Sequence, residues 1–246
     1  MIGAQERTGL LNNLGASLEA HAEFFRSKED GSIRPGNMVD YLYDKSDSDN
    51  CVSIEELWRV VIEGFEETWP KTRTQLQGKS LGDAWPCDSL PTADFFLSFT
   101  SASERTFAGT HIVCFHKLSQ WLTYSLIEPM QDNGLKFSSL HLMTGLAEYR
   151  NGGLIVDLGL ITPKSETAFS DTHNIDSGFV VEWRALTVSL LDEIADRVRA
   201  KLNLSAEEFP LVKLLEGGTW KAGRKIAKEL RDGSQPFNLK SDGTVF

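Results

Sequence analysis

The stretch that decides the fold class begins at Phe179: Phe-Val-Val-Glu-Trp-Arg-Ala-Leu-Thr-Val-Ser-Leu-Leu-Asp-Glu-Ile-Ala-Asp-Arg-Val-Arg-Ala-Lys-Leu, residues 179–202. Leu186, Leu190, Ile194 and Val198 recur at steps of four. That spacing stacks side chains on one face of an α-helix and does not fit the two-residue period of a strand. The segment therefore predicts the longest helix of the chain.

Toward the C-terminus, Ser205 and Glu208 stand three apart as a capping box before a helix predicted over 209–215, each side chain meeting an unpaired backbone amide of the first turn. Gly217-Gly218 is read as the end of that helix, and a last helix over 220–230 closes at Gly233. Toward the N-terminus, 10–25 carries Leu10, Leu11, Leu14, Leu18, Ala22 and Phe25 at helical spacing, and 31–36 breaks it at Gly31, Pro35 and Gly36. A short helix carries Met38, Leu42 and Tyr43, and the polar stretch 44–50 is a loop. Ser53 with Glu56 opens a helix that buries Ile54, Leu57, Val61 and Phe65 and stops at Pro70. Regular structure resumes at Val113, in a helix running to Pro129. The apolar run 154–161 is too short for periodicity to separate strand from helix. The chain reads as a single, mainly α-helical domain over 1–246, with a Ser-, Thr- and Pro-rich loop insertion near 86–112.

Composition narrows the function classes. The 246 residues are 41% hydrophobic and 24% charged, enough apolar content for a buried core. A net charge of -10 and a pI near 5.0 oppose an extended nucleic-acid footprint, which needs a basic surface. No run approaches the roughly 18 apolar residues of a spanning helix, and the start lacks the basic-then-apolar pattern of a signal peptide. Cys51, Cys87 and Cys114 form no C-x-x-C pair and no even-numbered disulfide framework, so a reducing cytoplasmic compartment is the expectation. His21, His111, His116, His141 and His173 show no metal-binding spacing. Neither a metal nor a cofactor is expected.

Three segments carry groups suited to chemistry. Lys117, Trp121, Tyr124 and Glu128 follow at steps of 4, 3 and 4. They read as a wall where rings stack on a flat or sugar-like group and an ammonium meets phosphate. An amphipathic face with solvated charges is the plainer reading, and the residue types alone favour it. Glu148-Tyr149-Arg150-Asn151 precedes Gly152-Gly153. A carboxylate there could stabilise a developing cation or activate water, with Arg150 offering a planar fork to phosphate. A helix end with Gly152 as its C-cap explains the same residues equally well. Glu182-Trp183-Arg184 opens the long helix, where an acidic residue also simply complements the dipole.

Together these segments are specific. Phe115-His116-Lys117-Leu118-Ser119-Gln120-Trp121, Glu148 to Leu154, Glu182-Trp183-Arg184-Ala185-Leu186-Thr187, and Glu216-Gly217-Gly218-Thr219-Trp220 running to Ser241-Asp242-Gly243-Thr244-Val245-Phe246 resemble the uracil-catabolism protein family of fungi and bacteria. The chain departs at Cys114 and Ala147, where the family pattern favours proline. It resembles the C-terminal portion of a longer family pattern. More distantly, the three central segments are similar to queuosine-5′-phosphate N-glycosidases, helical proteins with a DNA-glycosylase-like fold. Lys117 matches that family's first lysine, Glu148 occupies its aspartate position, and Glu182 with Arg184 matches its Glu-x-Arg block.

The resemblance implies an N-glycosidase of uracil catabolism that hydrolyses a ribosylurea or phosphoribosyl substrate. Glu148 would be the catalytic carboxylate; Lys117, Trp121, Tyr124, Tyr149, Arg150, Glu182 and Arg184 would bind substrate or phosphate, with Glu182 orienting Arg184 or the sugar hydroxyls. Lys117, Glu148 and Glu182 are then expected to line one pocket. The alternative is a non-catalytic subunit that binds a nucleotide-like ligand or a partner enzyme of the same pathway.

Overall fold

The computed structural model describes residues 4–69, 73–76, 79–87 and 112–240. The fold is mainly α-helical. Helices α1 (Ala4–Ala20), α2 (Ala22–Phe25), α3 (Met38–Lys45) and α4 (Ile54–Glu63) come first, with strand β1 (Cys51–Ser53) between the last two. Strands β2 (Gln75–Leu76), β3 (Lys79–Ser80), β4 (Ala84–Pro86) and β5 (Ile112–Cys114) precede helix α5 (Lys117–Asp132). Strand β6 (Lys136–Ser138), helix α6 (Tyr149–Asp157), strand β7 (Thr172–Asn174), helix α7 (Gly178–Leu202), the short α8 (Leu211–Lys213), helix α9 (Lys221–Arg231) and strand β8 (Asn238–Lys240) complete the order. The strands form two-stranded pairs: β1 with β6 and β7 with β8 parallel, β2 with β3 and β4 with β5 antiparallel. Most of the 86–112 insertion, residues 88–111, lies outside the described residues.

The main core joins α1 to α4 to the rear of α5, burying Phe24, Phe25, Leu42, Leu57 and Val60 against Ile127 and Met130. Smaller clusters hold the other half: Trp85, Phe115, Ala147 and Val181; Leu146, Leu191 and Leu215; Ala168, Trp183 and Phe237. Helix α5 therefore has its C-terminal turns in the large core, and Phe115, just before it, packs in a smaller cluster. No helix among the described residues is long and apolar enough to cross a membrane.

The long helix forms where its sequence predicts, and its ends have local causes. Ser177 accepts from the Val180 amide at 3.4 Å, and Asn203 closes the far end in the left-handed conformation, φ 57°. The buried face, however, is not the predicted leucine stripe. Val180, Arg184, Thr187 and Leu191 are buried, whereas Leu186 is 41% exposed. These buried positions also recur at helical spacing, but two of them are polar.

Three further expectations are corrected. The Ser205–Glu208 box forms in both directions, at 2.9 and 3.2 Å, yet it closes a turn rather than opening a helix, which begins at Leu211. Gly217-Gly218 ends nothing: both lie in a π-helical segment, Leu214–Trp220, that runs into α9. Gly152-Gly153 is not a C-cap but part of the first two turns of α6. Absent side chains there let helices approach. A Cβ on Gly152 would stand 2.7 Å from Thr187 Oγ1 and 2.9 Å from Trp183 Cε2 of α7, and one on Gly223 of α9 would stand 2.1 Å from the Arg150 carbonyl oxygen.

Candidate functional site

The site is built on Asp83, which precedes β4. Its carboxylate takes a bidentate pair from Arg184, at 2.8 and 2.7 Å, and accepts from Trp85 Nε1 at 2.7 Å and the Lys117 amide at 3.1 Å. Its backbone carbonyl accepts the Phe115 and His116 amides at 2.9 and 3.1 Å. One residue thus holds three consecutive amides at the entry to α5. It thereby stabilises His116 in the left-handed region, φ 45°, which a residue with a side chain rarely adopts. Arg184 is 1% exposed, and its guanidinium carbon lies 4.1 Å from the centroid of the Phe115 ring. Burial pushes the Asp83 carboxyl up, but the hydrogen bonds and charge of Arg184 win and hold it below the usual carboxylate range.

This clamp positions Lys117, 8% exposed, at the start of α5. Facing it electrostatically is Glu148, the N-cap of α6, whose Oε2 accepts from the Arg150 amide at 2.6 Å. Burial pulls the Lys117 ammonium below its ordinary value, opposed by the charge of Glu148. Burial likewise pushes the Glu148 carboxyl up, opposed by Lys117 and by the Arg150 and Asn151 amides. Both groups are moved toward neutrality, which lowers the cost of proton movement relative to a solvated Glu and Lys. The half-buried carboxylate can bear a charge because an ammonium and a helix N-terminus both favour it.

The remaining predicted residues disperse. Trp121 is 52% exposed, and Tyr124 donates to the Thr144 carbonyl at 3.0 Å with its phenol pushed up by burial. The expected wall of Lys117, Trp121, Tyr124 and Glu128 shares one side of α5, but only Lys117 in its first turn is buried there, and Trp121 and Glu128 are exposed. Tyr149 packs near Phe237 and carries the Arg150 guanidinium over its ring, at 4.7 Å. Arg150 donates to the Gly233 carbonyl at 2.7 Å, so its fork holds the end of α9. Glu182 does not join Lys117 and Glu148. It lines a different cavity, of about 240 Å³, with Ile161, Phe179, Trp183 and Phe237. The reason is geometric: residues two apart on a helix point about 200° apart, so Glu182 and Arg184 face opposite ways. Asp83, not Glu182, orients Arg184.

Sequence reasoning missed three residues. Asp83 gave no signal, because its partner is 101 positions away. His116 and Gln120 flank Lys117 on the first turn of α5 and line a cavity of about 310 Å³ with Trp58, Phe115, Leu142 and Met143. The Phe-His-Lys-Leu-Ser-Gln wording was the available clue. Among the described residues no group of three His, Cys, Asp or Glu side chains is placed to hold a metal ion.

The chain matches, over residues 1–246, the family described as Protein of unknown function (DUF1688). It is 39% identical over 266 residues to Uracil catabolism protein 4 of Lachancea kluyveri, covering 99% of this chain and 57% of that protein. It is 40% identical over 238 residues to Protein urg3 of Schizosaccharomyces pombe, covering 94% and 54% respectively. The chain thus spans a little over half the length of these curated relatives. No solved structure matches it.

Proposed function

The chain belongs to the DUF1688 family, and on that premise we propose that it acts in uracil catabolism as an N-glycosidase, hydrolysing a ribosylurea or phosphoribosyl substrate. The supporting observation is that buried Lys117 and half-buried Glu148 each stand at the N-terminus of a helix, with their charges acting on each other while burial moves each toward neutrality. The relative named for uracil catabolism supports a place in that breakdown.

Cleavage of an N-glycosidic bond passes through an oxocarbenium-like sugar. In the proposed step, water adds to the anomeric carbon as the C–N bond breaks. The proton of water goes to Glu148 and from there to the departing nitrogen, which carries away the electron pair of the broken bond, so that one water is added across it and Glu148 is regenerated. Ionised Glu148 offsets the sugar's developing positive charge. Lys117 meets the anionic substituent, while Arg150 Nη1 is bound to the Gly233 carbonyl.

A second reading has its own observation. An oxygen of Glu148 caps the Arg150 amide at 2.6 Å, a structural duty that a ligand-binding subunit would also need. Incubating the full chain with ribosylurea, its 5′-phosphate, uridine and uridine monophosphate, and measuring released urea or base, separates the two. Turnover of any of them, reduced about a hundredfold or more in Glu148→Gln with binding retained, supports the hydrolase. Equal turnover in the variant removes Glu148 from the mechanism, and binding without turnover by wild type favours the binding subunit.

A further inference from the structure

The first turn of α5 carries a second set of polar atoms that the proposed hydrolysis does not use. Gln120 is 7% exposed, lines the cavity of about 310 Å³, and its Oε1 has no hydrogen-bond partner among the described residues. His116 lines the same cavity, and its Nδ1 is likewise without a partner among them. Leaving such buried atoms unsatisfied is costly, and native structures seldom do so without a ligand or water to complete them. Trp58, whose ring meets His116 edge-on at 6.1 Å, supplies flat and apolar wall with Phe115, Leu142 and Met143, and Glu55 and Thr144 add polar groups to the lining.

We propose that this cavity is the subsite for the planar leaving group, a ring or chain bearing a cis-amide edge such as a pyrimidine dione or a ureide, read by the side-chain amide of Gln120. A carboxamide presents a C=O acceptor and an N–H donor in one plane. A cis –NH–C(=O)– edge presents the complementary pair in the same plane, so one ligand edge satisfies the orphaned acceptor. His116 completes the recognition. Burial favours its neutral form, against the pull of Asp83, and a neutral imidazole offers one donor and one acceptor to an uncharged ligand. The volume is at the low end of ligand pockets, which commonly run from about 300 Å³ upward, and suits one ring rather than a dinucleotide. The strained His116 backbone, held by Asp83, fixes the imidazole before any ligand arrives. The assignment to a leaving group rests on the hydrolase reading; the recognition of a cis-amide edge does not.

The test is a binding series by calorimetry or ligand-observed NMR on the full chain, with uracil, 3-methyluracil and 1,3-dimethyluracil as probes. Wild type should bind uracil at least about tenfold more tightly than the dimethyl compound, because the methylated ligand cannot donate to Gln120. Gln120→Met, of similar shape but without the amide, should lose about tenfold or more for uracil and change little for the dimethyl compound. The wild-type series alone decides the matter if that variant folds poorly, as judged by circular dichroism. Equal affinity of wild type for uracil and dimethyluracil, or no binding of either near 10 mM, overturns the proposal. Discrimination without turnover would sink the hydrolase reading and leave the subsite standing. Turnover with no discrimination would do the reverse.

Discussion

Replacing Asp83 by Asn isolates the interaction on which the site is built. The substitution preserves volume, removes the charge, and puts an N–H donor where an acceptor stood. In the native protein the carboxylate accepts four hydrogen bonds, two from Arg184, one from Trp85 Nε1 and one from the Lys117 amide, the longest 3.1 Å. With Asn at 83, at least one of these donors faces another donor, and the Arg184 guanidinium, 1% exposed, keeps its charge without a counter-ion. Removing one partner of a buried ion pair typically costs about 3–5 kcal/mol. That is a large fraction of the roughly 5–15 kcal/mol by which domains are stable, and it corresponds to a fall in melting temperature on the order of 10 °C for a chain of this size. Urea titration followed by circular dichroism at neutral pH measures it. The double variant Asp83→Leu, Arg184→Met should recover much of the loss, because the stranded charge leaves with its partner. A single-variant cost below about 1 kcal/mol, or a double variant no better than the single, would refute the argument that this pair organises the entry to α5. Since the native Asp83 pKa is depressed, its stabilisation is present above the unfolded value near 3.8 and is lost as pH falls through the folded value. Asp83→Asn should therefore be less acid-sensitive in this window than wild type.

Other expectations follow from the same geometry. Turnover should rise with pH through a Glu148 ionisation above the ordinary 4.5, because burial raises it; Lys117→Met removes a charge that lowers it, so the rising limb should move further up, and an unmoved limb in a kcat–pH profile would uncouple the pair. Glu182→Gln, in the other cavity, should leave kcat and KM within about threefold; a loss of about a hundredfold would return Glu182 to the reacting centre. Gly223→Ala puts a methyl 2.1 Å from the Arg150 carbonyl oxygen, so α6 and α9 must separate, at a cost of about 1–3 kcal/mol measurable by thermal melting.

Much of the secondary structure was legible in the sequence, because the energies that set it act between near neighbours. The period of 179–202 and Asn203 past its end specify α7 locally, and Ser53 accepts the Glu55 amide as an N-cap should. Even there the reading stopped at the local motif. Glu56 bonds the Tyr41 hydroxyl at 2.8 Å, and the Ser205–Glu208 box satisfies its amides without a helix behind it. Lys117 and Glu148 could be named because their residue types, and their likeness to a family pattern, were written in short contiguous blocks. Tertiary structure alone decided what those blocks do. Arg184 and Thr187 are buried on α7 while Leu186 is exposed, because a charge can be buried when a partner meets it, and that partner, Asp83, lies 101 residues away. No local period encodes such a pairing: it exists only once chain closure brings β4 against α7, and hydropathy assigns the arginine to solvent. The same closure sends Glu182 and Arg184 to opposite sides, ties the Arg150 fork to Gly233, and leaves Gln120 and His116 facing one cavity. The sequence determined where the long helix and most of the others form, through contacts within a few residues, but not the strands, whose partners lie far along the chain, as Cys51 with Lys136. Only the packed structure determined which polar groups share an interior, because that depends on partners distant along the chain.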